Sequence, residues 1–220
     1  MSTALVTGAN RGIGLELCRQ LARRGTDVIA VCRAASSELT ALGVRVEAGI
    51  DISDPKSIAE LARRVASDKL DDLIANAGIL RSDSLERIEF DRILEQFNVN
   101  ALGALRTVHA LLPSLNRGAR VALITSRMGS IGDNSSGGYY GYRMSKAALN
   151  AAGVSLAHDL RPRDIAVAIL HPGYVRTDMT GNSGGVEPRD AAAQLLARID
   201  ALTLSSSGHF WHANGETLPW

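Results

Sequence analysis

The sequence of 220 residues has only two cysteines, Cys18 and Cys32, and they lack metal-ligand spacing. A disulfide scaffold is excluded, and a reducing compartment is the natural setting. Neither sign of charge is in excess: 24 Lys and Arg against 23 Asp and Glu leave a net charge of +1. That balance carries no electrostatic footprint for nucleic acid or an anionic membrane, so neither is expected as a partner. No apolar run approaches the length that spans a bilayer. Met1-Ser2-Thr3 runs directly into Ala4-Leu5-Val6, with no basic segment and apolar core of a secretory leader. A cytoplasmic protein is therefore expected, in which the sequon Asn134-Ser135-Ser136 stays idle. The five histidines, His109, His158, His171, His209 and His212, form no metal set, since His209-x-x-His212 lacks a third ligand. They are expected to pack or to lie on the surface. No linker, internal repeat or low-complexity block divides the chain, so residues 1–220 are expected to form one domain. With 45% hydrophobic and 21% charged residues, a chain of this length can bury a core without staples.

What the chain does have is a regular alternation of strand-like and helix-like segments. Thr3 to Thr7 is a short apolar strand, followed by Ile13, Leu17 and Leu21 at helical spacing and a stop at Gly25. Further strands are predicted over Asp27–Cys32, Val44–Gly49, Leu70–Asn76, Ala119–Ser126, Ile165–Leu170 and His209–His212. Asp54-Pro55 supplies an N-cap and a first-turn proline for a helix through Ile58, Leu61, Ala62 and Val65. Other helices are predicted over about Phe90–Leu112, Gly141–Leu160 and Pro188–Ile199. Repeated strand–helix–strand units imply an α/β fold, one doubly wound parallel sheet of about seven strands with helices on both faces. In such sheets ligands bind beyond the carboxyl ends of the strands, so those loops carry the candidates.

The first loop is Thr7-Gly8-Ala9-Asn10-Arg11-Gly12-Ile13-Gly14, between a strand and a helix. A pyrophosphate there meets backbone N–H groups and the positive end of the helix, and glycines permit the close approach. The second strand ends Val31-Cys32-Arg33, without the acidic residue that usually binds an NAD ribose. Arg33, with Arg11, suits a 2′-phosphate instead, so NADP(H) is favoured and NAD(H) stays open. After the fifth strand, Ser126 is followed by Tyr142-Arg143-Met144-Ser145-Lys146. Tyr142 and Lys146 are four apart and share a helix face. A neighbouring ammonium favours the phenolate, so Lys146 and the positive nicotinamide ring of an oxidised cofactor are together expected to lower the Tyr142 pKa from its ordinary value of about 10.

Taken together these motifs resemble the short-chain dehydrogenase/reductase family. The matching features are Thr-Gly-x-x-x-Gly-x-Gly, Asn76-Ala77-Gly78 after strand four, Ser126, Tyr142-x-x-x-Lys146 and His171-Pro172-Gly173-Tyr174-Val175-Arg176-Thr177. The resemblance spans essentially the whole chain. Gly129-Ser130-Ile131, Gly137-Gly138 and the tail Gly208-His209-Phe210-Trp211 through Leu218-Pro219-Trp220 are similar to the C-factor and Sniffer-type carbonyl reductase branch. The family's single-domain Rossmann-type fold would place a dinucleotide-binding half at about 1–115 and a catalytic and substrate-binding half at about 116–220.

The resemblance implies an oxidoreductase that moves a hydride between nicotinamide and a small-molecule carbonyl or alcohol. Tyr142 would be the general acid, Ser126 would orient the carbonyl oxygen, and Lys146 would hold the nicotinamide ribose and tune Tyr142. Asn100 would support a water-mediated proton relay. Gly8, Gly12 and Gly14 would line the pyrophosphate, with Asn10, Arg11 and Ile13 of the same turn beside it. Asp51 would contact adenine, with Ile52 alongside. Asn76 would brace the sheet and border the adenosine ribose, next to Ala77 and Gly78. Val175 and Thr177 would meet the carboxamide, after Pro172 and Gly173. The family also commonly pairs its long helices across a two-fold axis, which implies a homodimer or homotetramer.

Several residues compete for these roles. Tyr139 and Tyr140 lie near Tyr142, Ser130 near Ser126, and Asn98 near Asn100. The gap from Ser126 to Tyr142 is longer than usual in the family, and the extra residues fall in the loop Gly129–Gly138. Gly181-Asn182-Ser183-Gly184-Gly185 fits the G-x-S-x-G hydrolase pattern but has no strand before it or helix after it, so no nucleophile elbow is expected. It belongs to the short Thr177–Pro188 segment, expected to be a mobile loop over an open pocket. The rival from another class is a dinucleotide-binding regulatory or signalling protein of the same fold with little turnover.

Overall fold

The computed structural model describes residues 2–220. Seven parallel strands form one sheet in the order β3-β2-β1-β4-β5-β6-β7. They are β1 (Thr3–Thr7), β2 (Asp27–Val31), β3 (Arg45–Glu47), β4 (Leu70–Ala75), β5 (Leu115–Ile124), β6 (Ala166–His171) and β7 (Phe210–His212). The helices are α1 (Gly12–Arg23), α2 (Ser37–Thr40), α3 (Pro55–Arg64), α4 (Phe90–Phe97), α5 (Ala104–Leu111), α6 (Tyr140–Leu160) and α7 (Pro188–Asp200). Side chains of a strand alternate between the two faces. Leu5 enters one core with Leu61, Val108 and Leu149, from α3, α5 and α6. Ala4 and Val6 enter the other with Leu17, Leu21 and Leu195, from α1 and α7. Burial on both faces explains why the strands are continuous apolar runs rather than alternating ones.

Three elements differ from the sequence expectation. The helix expected over Phe90–Leu112 is interrupted by a π-helical turn at Asn98–Gly103. Strand β5 begins at Leu115 rather than Ala119, because Leu115 pairs with Leu70 before a register shift brings Arg120 opposite Asp72. The short helix α2 has a Ser36 cap that accepts the Leu39 N–H but too few residues for a periodic signal. The Asp54 cap is where the sequence places it, accepting from the N–H groups of Lys56 and Ser57.

Strand order reverses between β1 and β4. Connections leave β1 toward β3 on one side and leave β4 toward β7 on the other. The crevice at their carboxyl ends is where such a sheet takes a ligand.

Candidate active site

A cleft of about 550 Å³ opens at that switch point, a volume typical of cofactor and substrate sites. One end of it is the glycine turn. The buried Thr7 hydroxyl accepts the backbone N–H groups of Asn76 and Ala77, each at 3.1 Å. The Asn76 amide donates to the carbonyls of Thr7, 3.0 Å, and Gly8, 3.3 Å. The turn after β1 is thereby laced to the turn after β4. Gly8 has φ +67°, and a β-carbon on Gly14 would lie 2.2 Å from the Gly8 carbonyl oxygen. Only glycine fits there, because the start of α1 packs directly on the turn, and the cleft lined by Gly8, Gly12 and Gly14 forms a cradle beside the N-terminus of α1.

Gly8, Asn10, Arg11, Gly12, Ile13, Gly14, Arg33, Asp51, Ile52, Asn76, Ala77, Gly78, Tyr142, Lys146, Pro172 and Thr177 all line this cleft. Asn100, Ser126, Gly173 and Val175 stand outside its lining. Val175 is buried and pairs in a bridge with Val186. Asp51 holds the Ser53 N–H and hydroxyl, at 2.9 and 2.7 Å. Burial works against its charge, yet these bonds and the nearby Arg33 outweigh it and hold its pKa below the ordinary value. Arg33 is exposed at the rim. Arg11 is not idle: its guanidinium pairs with Asp178 at 3.1 Å, bridging the glycine turn to the loop after β6.

The other end of the cleft is built on β5 and α6. Tyr142 is buried in the first turn of α6, with Ser126 near enough to favour its phenolate. Ser126 accepts the Met128 N–H at 3.1 Å, which orients its hydroxyl at the end of β5. Lys146 lies one turn further along α6, with its Nζ 5.8 Å from the Tyr142 ring centroid and 2.9 Å from the Ile124 carbonyl it donates to.

Lys146 alone does not lower the Tyr142 pKa. Burial pushes it up to about 12, only partly offset by the nearby Ser126 hydroxyl. Lys146 is itself pushed down to about 8 by burial. Desolvation disfavours both charged forms. The phenol is neutral at pH 7.

The competing residues separate cleanly. Tyr139 is exposed, and Arg143, four residues on where Tyr142 has a lysine, donates to the carbonyls of Gly138 and Gly137 and to Ser136. Ser130 accepts the Asp133 N–H and so serves its own loop. Asn98 accepts from Arg106 at 2.6 Å and donates to the Ser53 carbonyl, bracing the loop that carries Asp51. Asn100, on the same π turn, faces the opposite way. Its amide accepts the Ile79 N–H at 2.8 Å and donates to the Ile79 carbonyl at 2.9 Å and to Ser145 at 3.0 Å. Ser145 in turn donates to the Tyr142 carbonyl. Ser183 of the G-x-S-x-G match hydrogen-bonds Tyr174 and the Thr180 carbonyl, with no histidine on it. The segment around it is tied by Arg176–Val186, Val186–Tyr174 and Asn182–Thr177 backbone bonds.

Sequence reasoning overlooked several residues that shape the site. Asn150 shares a hydrogen bond with Thr125 at 2.7 Å. It falls four residues after Lys146, so the row 142, 146, 150 was a visible signal. Thr7 was visible as a polar end to an apolar strand. Asp178 and Asp83 carry no local signal, because their partners are remote in sequence. Among the described residues, no group of three or more His, Cys, Asp or Glu side chains is placed to hold a metal ion. No helix among them is long and apolar enough to cross a membrane.

Fold and cleft define a doubly wound α/β protein built around a dinucleotide-type glycine turn, with a tyrosine and a lysine lining the far end and a serine behind them. A family model described as short chain dehydrogenase matches residues 2–187. The chain belongs to the short-chain dehydrogenase/reductase family and is an oxidoreductase. It is 45% identical over 226 residues to a 1-hydroxy-2-glutathionyl-2-methyl-3-butene dehydrogenase of Rhodococcus sp. (strain AD45), covering all of both chains. It is 43% identical over 162 residues to the C-signal protein of Myxococcus xanthus, covering 72% of this chain and 98% of that one. Among solved structures, the carbonyl reductase Sniffer of D. melanogaster superposes with a TM-score of 0.93 at 29% identity, covering 100% of both chains. The NADPH-bound carbonyl reductase from chicken fatty liver superposes with a TM-score of 0.90 at 28% identity, covering 100% of this chain and 99% of that one.

Proposed function

We propose that this chain is an NADP(H)-dependent carbonyl reductase, reducing a ketone or aldehyde to an alcohol and running in reverse on the alcohol. The carrying observation is Tyr142: a buried phenol, neutral at pH 7, beside Ser126 and Lys146 at one end of a cleft whose other end is the glycine cradle. The cofactor fits the residues present. Gly8, Gly12 and Gly14 leave the cleft floor free of side chains at the N-terminus of α1, and Arg33 stands at the rim beside Asp51 without an ion-pair partner among the described residues. Arg11 would join Arg33 at the 2′-phosphate by leaving Asp178. That exchange costs little, because an exposed ion pair is worth only about 0–1 kcal/mol. The NADPH in the chicken reductase structure supports the same choice of cofactor.

When bound, the reduced nicotinamide supplies a hydride to the carbonyl carbon. Charge grows on the carbonyl oxygen, where Ser126 and Tyr142 donate hydrogen bonds. Tyr142 passes its proton to that oxygen and is left as a phenolate. The Lys146 ammonium, one helical turn away, stabilises that phenolate. Asn100, holding Ile79 and Ser145, supports refilling of the proton through water. Gly8, Gly12 and Gly14 would hold the pyrophosphate, Asp51 and Asn76 would border the adenosine, and Val175 and Thr177 would set the face of the ring.

The same reading makes 1–220 one catalytic domain, with its cofactor half to about residue 115, in a cytoplasmic homodimer or homotetramer. The exposed Phe90 and Leu94 on α4, 69% and 65% accessible, support such pairing.

The test is to titrate NADPH and NADH by fluorescence and then add a panel of ketones and aldehydes. An alcohol carrying a glutathionyl group joins the panel in the oxidising direction, given the name of the Rhodococcus relative. Tight NADPH binding followed by oxidation is the expected result. Binding with no oxidation across the panel would favour a regulatory protein.

A further inference from the structure

The long helix α6 starts without a cap of its own. Its first flanking residue, Tyr139, is in the left-handed conformation with φ +52° and gives no side-chain hydrogen bond to the helix. The leading N–H groups of a helix need partners, and here they come from a segment 57 and 58 residues earlier in the chain. The Asp83 carboxylate accepts the N–H of Tyr140 on one oxygen and the N–H of Gly141, at 3.1 Å, on the other. The Asp83 carbonyl accepts the Tyr139 N–H at 2.9 Å. A carboxylate on the N-terminal N–H groups also complements the helix dipole. Tyr142 is the next residue.

Asp83 is in turn held by an extended strap that leaves β4. Ile79 is fixed by Asn100 through both its N–H and its carbonyl. The Arg81 N–H donates at 2.8 Å to Gln96, a fully buried side chain on α4. The Gln96 amide nitrogen lies against Gly141, since a β-carbon there would sit 2.5 Å from it. Positions 79 and 81 are thus pinned to α4 and the π turn that follows it, and position 83 to α6. The same strap begins at Asn76-Ala77-Gly78, in the cofactor cleft.

We propose that Asp83 is a positioning residue, which sets the Tyr142 hydroxyl by capping the first turn of α6 from the end of a strap anchored by Gln96 and Asn100. The inference rests on the reading of Tyr142 as the proton donor, and the experiment separates the two.

The variants are Asp83→Ala, Asp83→Asn, Gln96→Leu, the double Asp83→Ala/Gln96→Leu, and Tyr142→Phe. Each is measured for kcat and KM in NADPH-dependent carbonyl reduction, for NADPH binding, and for hydrogen exchange of amides 139–142. For Asp83→Ala, kcat should fall about 10- to 100-fold, as an ångström-scale displacement produces, with NADPH affinity unchanged. The Tyr140 and Gly141 amides should lose their protection. Asp83→Asn keeps one acceptor oxygen on the helix and should restore most of the rate and part of the protection. Gln96→Leu should act in the same direction, and the double variant should lose less than the product of the two single losses. Wild-type kcat in Asp83→Ala, a parallel loss of NADPH affinity, or failure of Asp83→Asn to recover would each overturn the proposal. Should Asp83→Ala not fold, Asp83→Asn decides alone: it must show reduced protection of one amide and a lower kcat at unchanged NADPH affinity. Turnover by Tyr142→Phe would instead overturn the reading beneath it.

Discussion

Replacing Gly14 by alanine tests the cradle with the smallest change a protein allows. The added β-carbon would lie 2.2 Å from the Gly8 carbonyl oxygen, 2.6 Å from the Asn76 amide nitrogen and 2.9 Å from the Gly8 carbonyl carbon. None of these is the free end of a flexible side chain: two are backbone, and Asn76 is held by the carbonyls of Thr7 and Gly8. Relief requires the start of α1 to move away from the glycine turn by about an ångström, toward ordinary contact distances near ~3.5 Å. Forced overpacking of this kind costs about 1–3 kcal/mol, which for a domain of this size lowers the Tm by roughly 2–4 °C per kcal/mol. The same movement spreads the N–H groups that would meet a pyrophosphate. Gly14→Ala is therefore expected to lose several degrees in a thermal melt and most of its NADPH affinity in a fluorescence titration. Gly185→Ala is the control, because a β-carbon there meets nothing within 4 Å and its backbone is not left-handed. It should melt and bind as wild type. Wild-type melting and NADPH affinity in Gly14→Ala would refute the close-approach argument.

Two other changes probe electrostatics. Arg33→Asp should weaken NADPH far more than NADH, since Arg33 stands free at the rim and the new carboxylate repels a phosphate; equal losses for the two nucleotides would show that Arg33 does not read the phosphate. His171 is held neutral, its pKa pushed down to about 3 by burial and by the neighbouring His212, Arg127 and Lys146. Between the unfolded value near 6.5 and about 3, the unfolded chain binds a proton that the folded protein does not, so stability falls as pH drops through that window. One such group contributes at most about 1.4 kcal/mol per pH unit. His171→Phe should flatten that fall in urea midpoints taken at pH 7 and pH 4, and an undiminished fall would reject His171 as its source.

The alternation of strands and helices is legible because a doubly wound sheet buries both faces of its strands, as Leu5 and Val6 do in opposite cores. The glycine turn is legible because its demands are local: Gly8 bends and Gly14 yields space within seven residues. The π turn is not, because it depends on Asn100 meeting Ile79, which is 21 residues away. The Arg11–Asp178 pair spans 167 residues and the Asp83 cap 57, and neither leaves a periodic or local trace. Spacing puts Tyr142 and Lys146 on one helix face, and the structure brings them to one cleft. What spacing cannot supply is the balance between charge attraction and burial. Lys146 spends its hydrogen bond on the Ile124 carbonyl, and desolvation governs the phenol.

Tyr142→Phe removes one oxygen atom and leaves the ring that packs beside Lys146. NADPH binding and carbonyl reduction measured side by side on this variant test whether that oxygen is the proton donor. The account predicts nucleotide affinity equal to wild type and turnover lower by about 10²- to 10⁴-fold, the usual contribution of a positioned acid. Turnover comparable to wild type at full NADPH occupancy would contradict it.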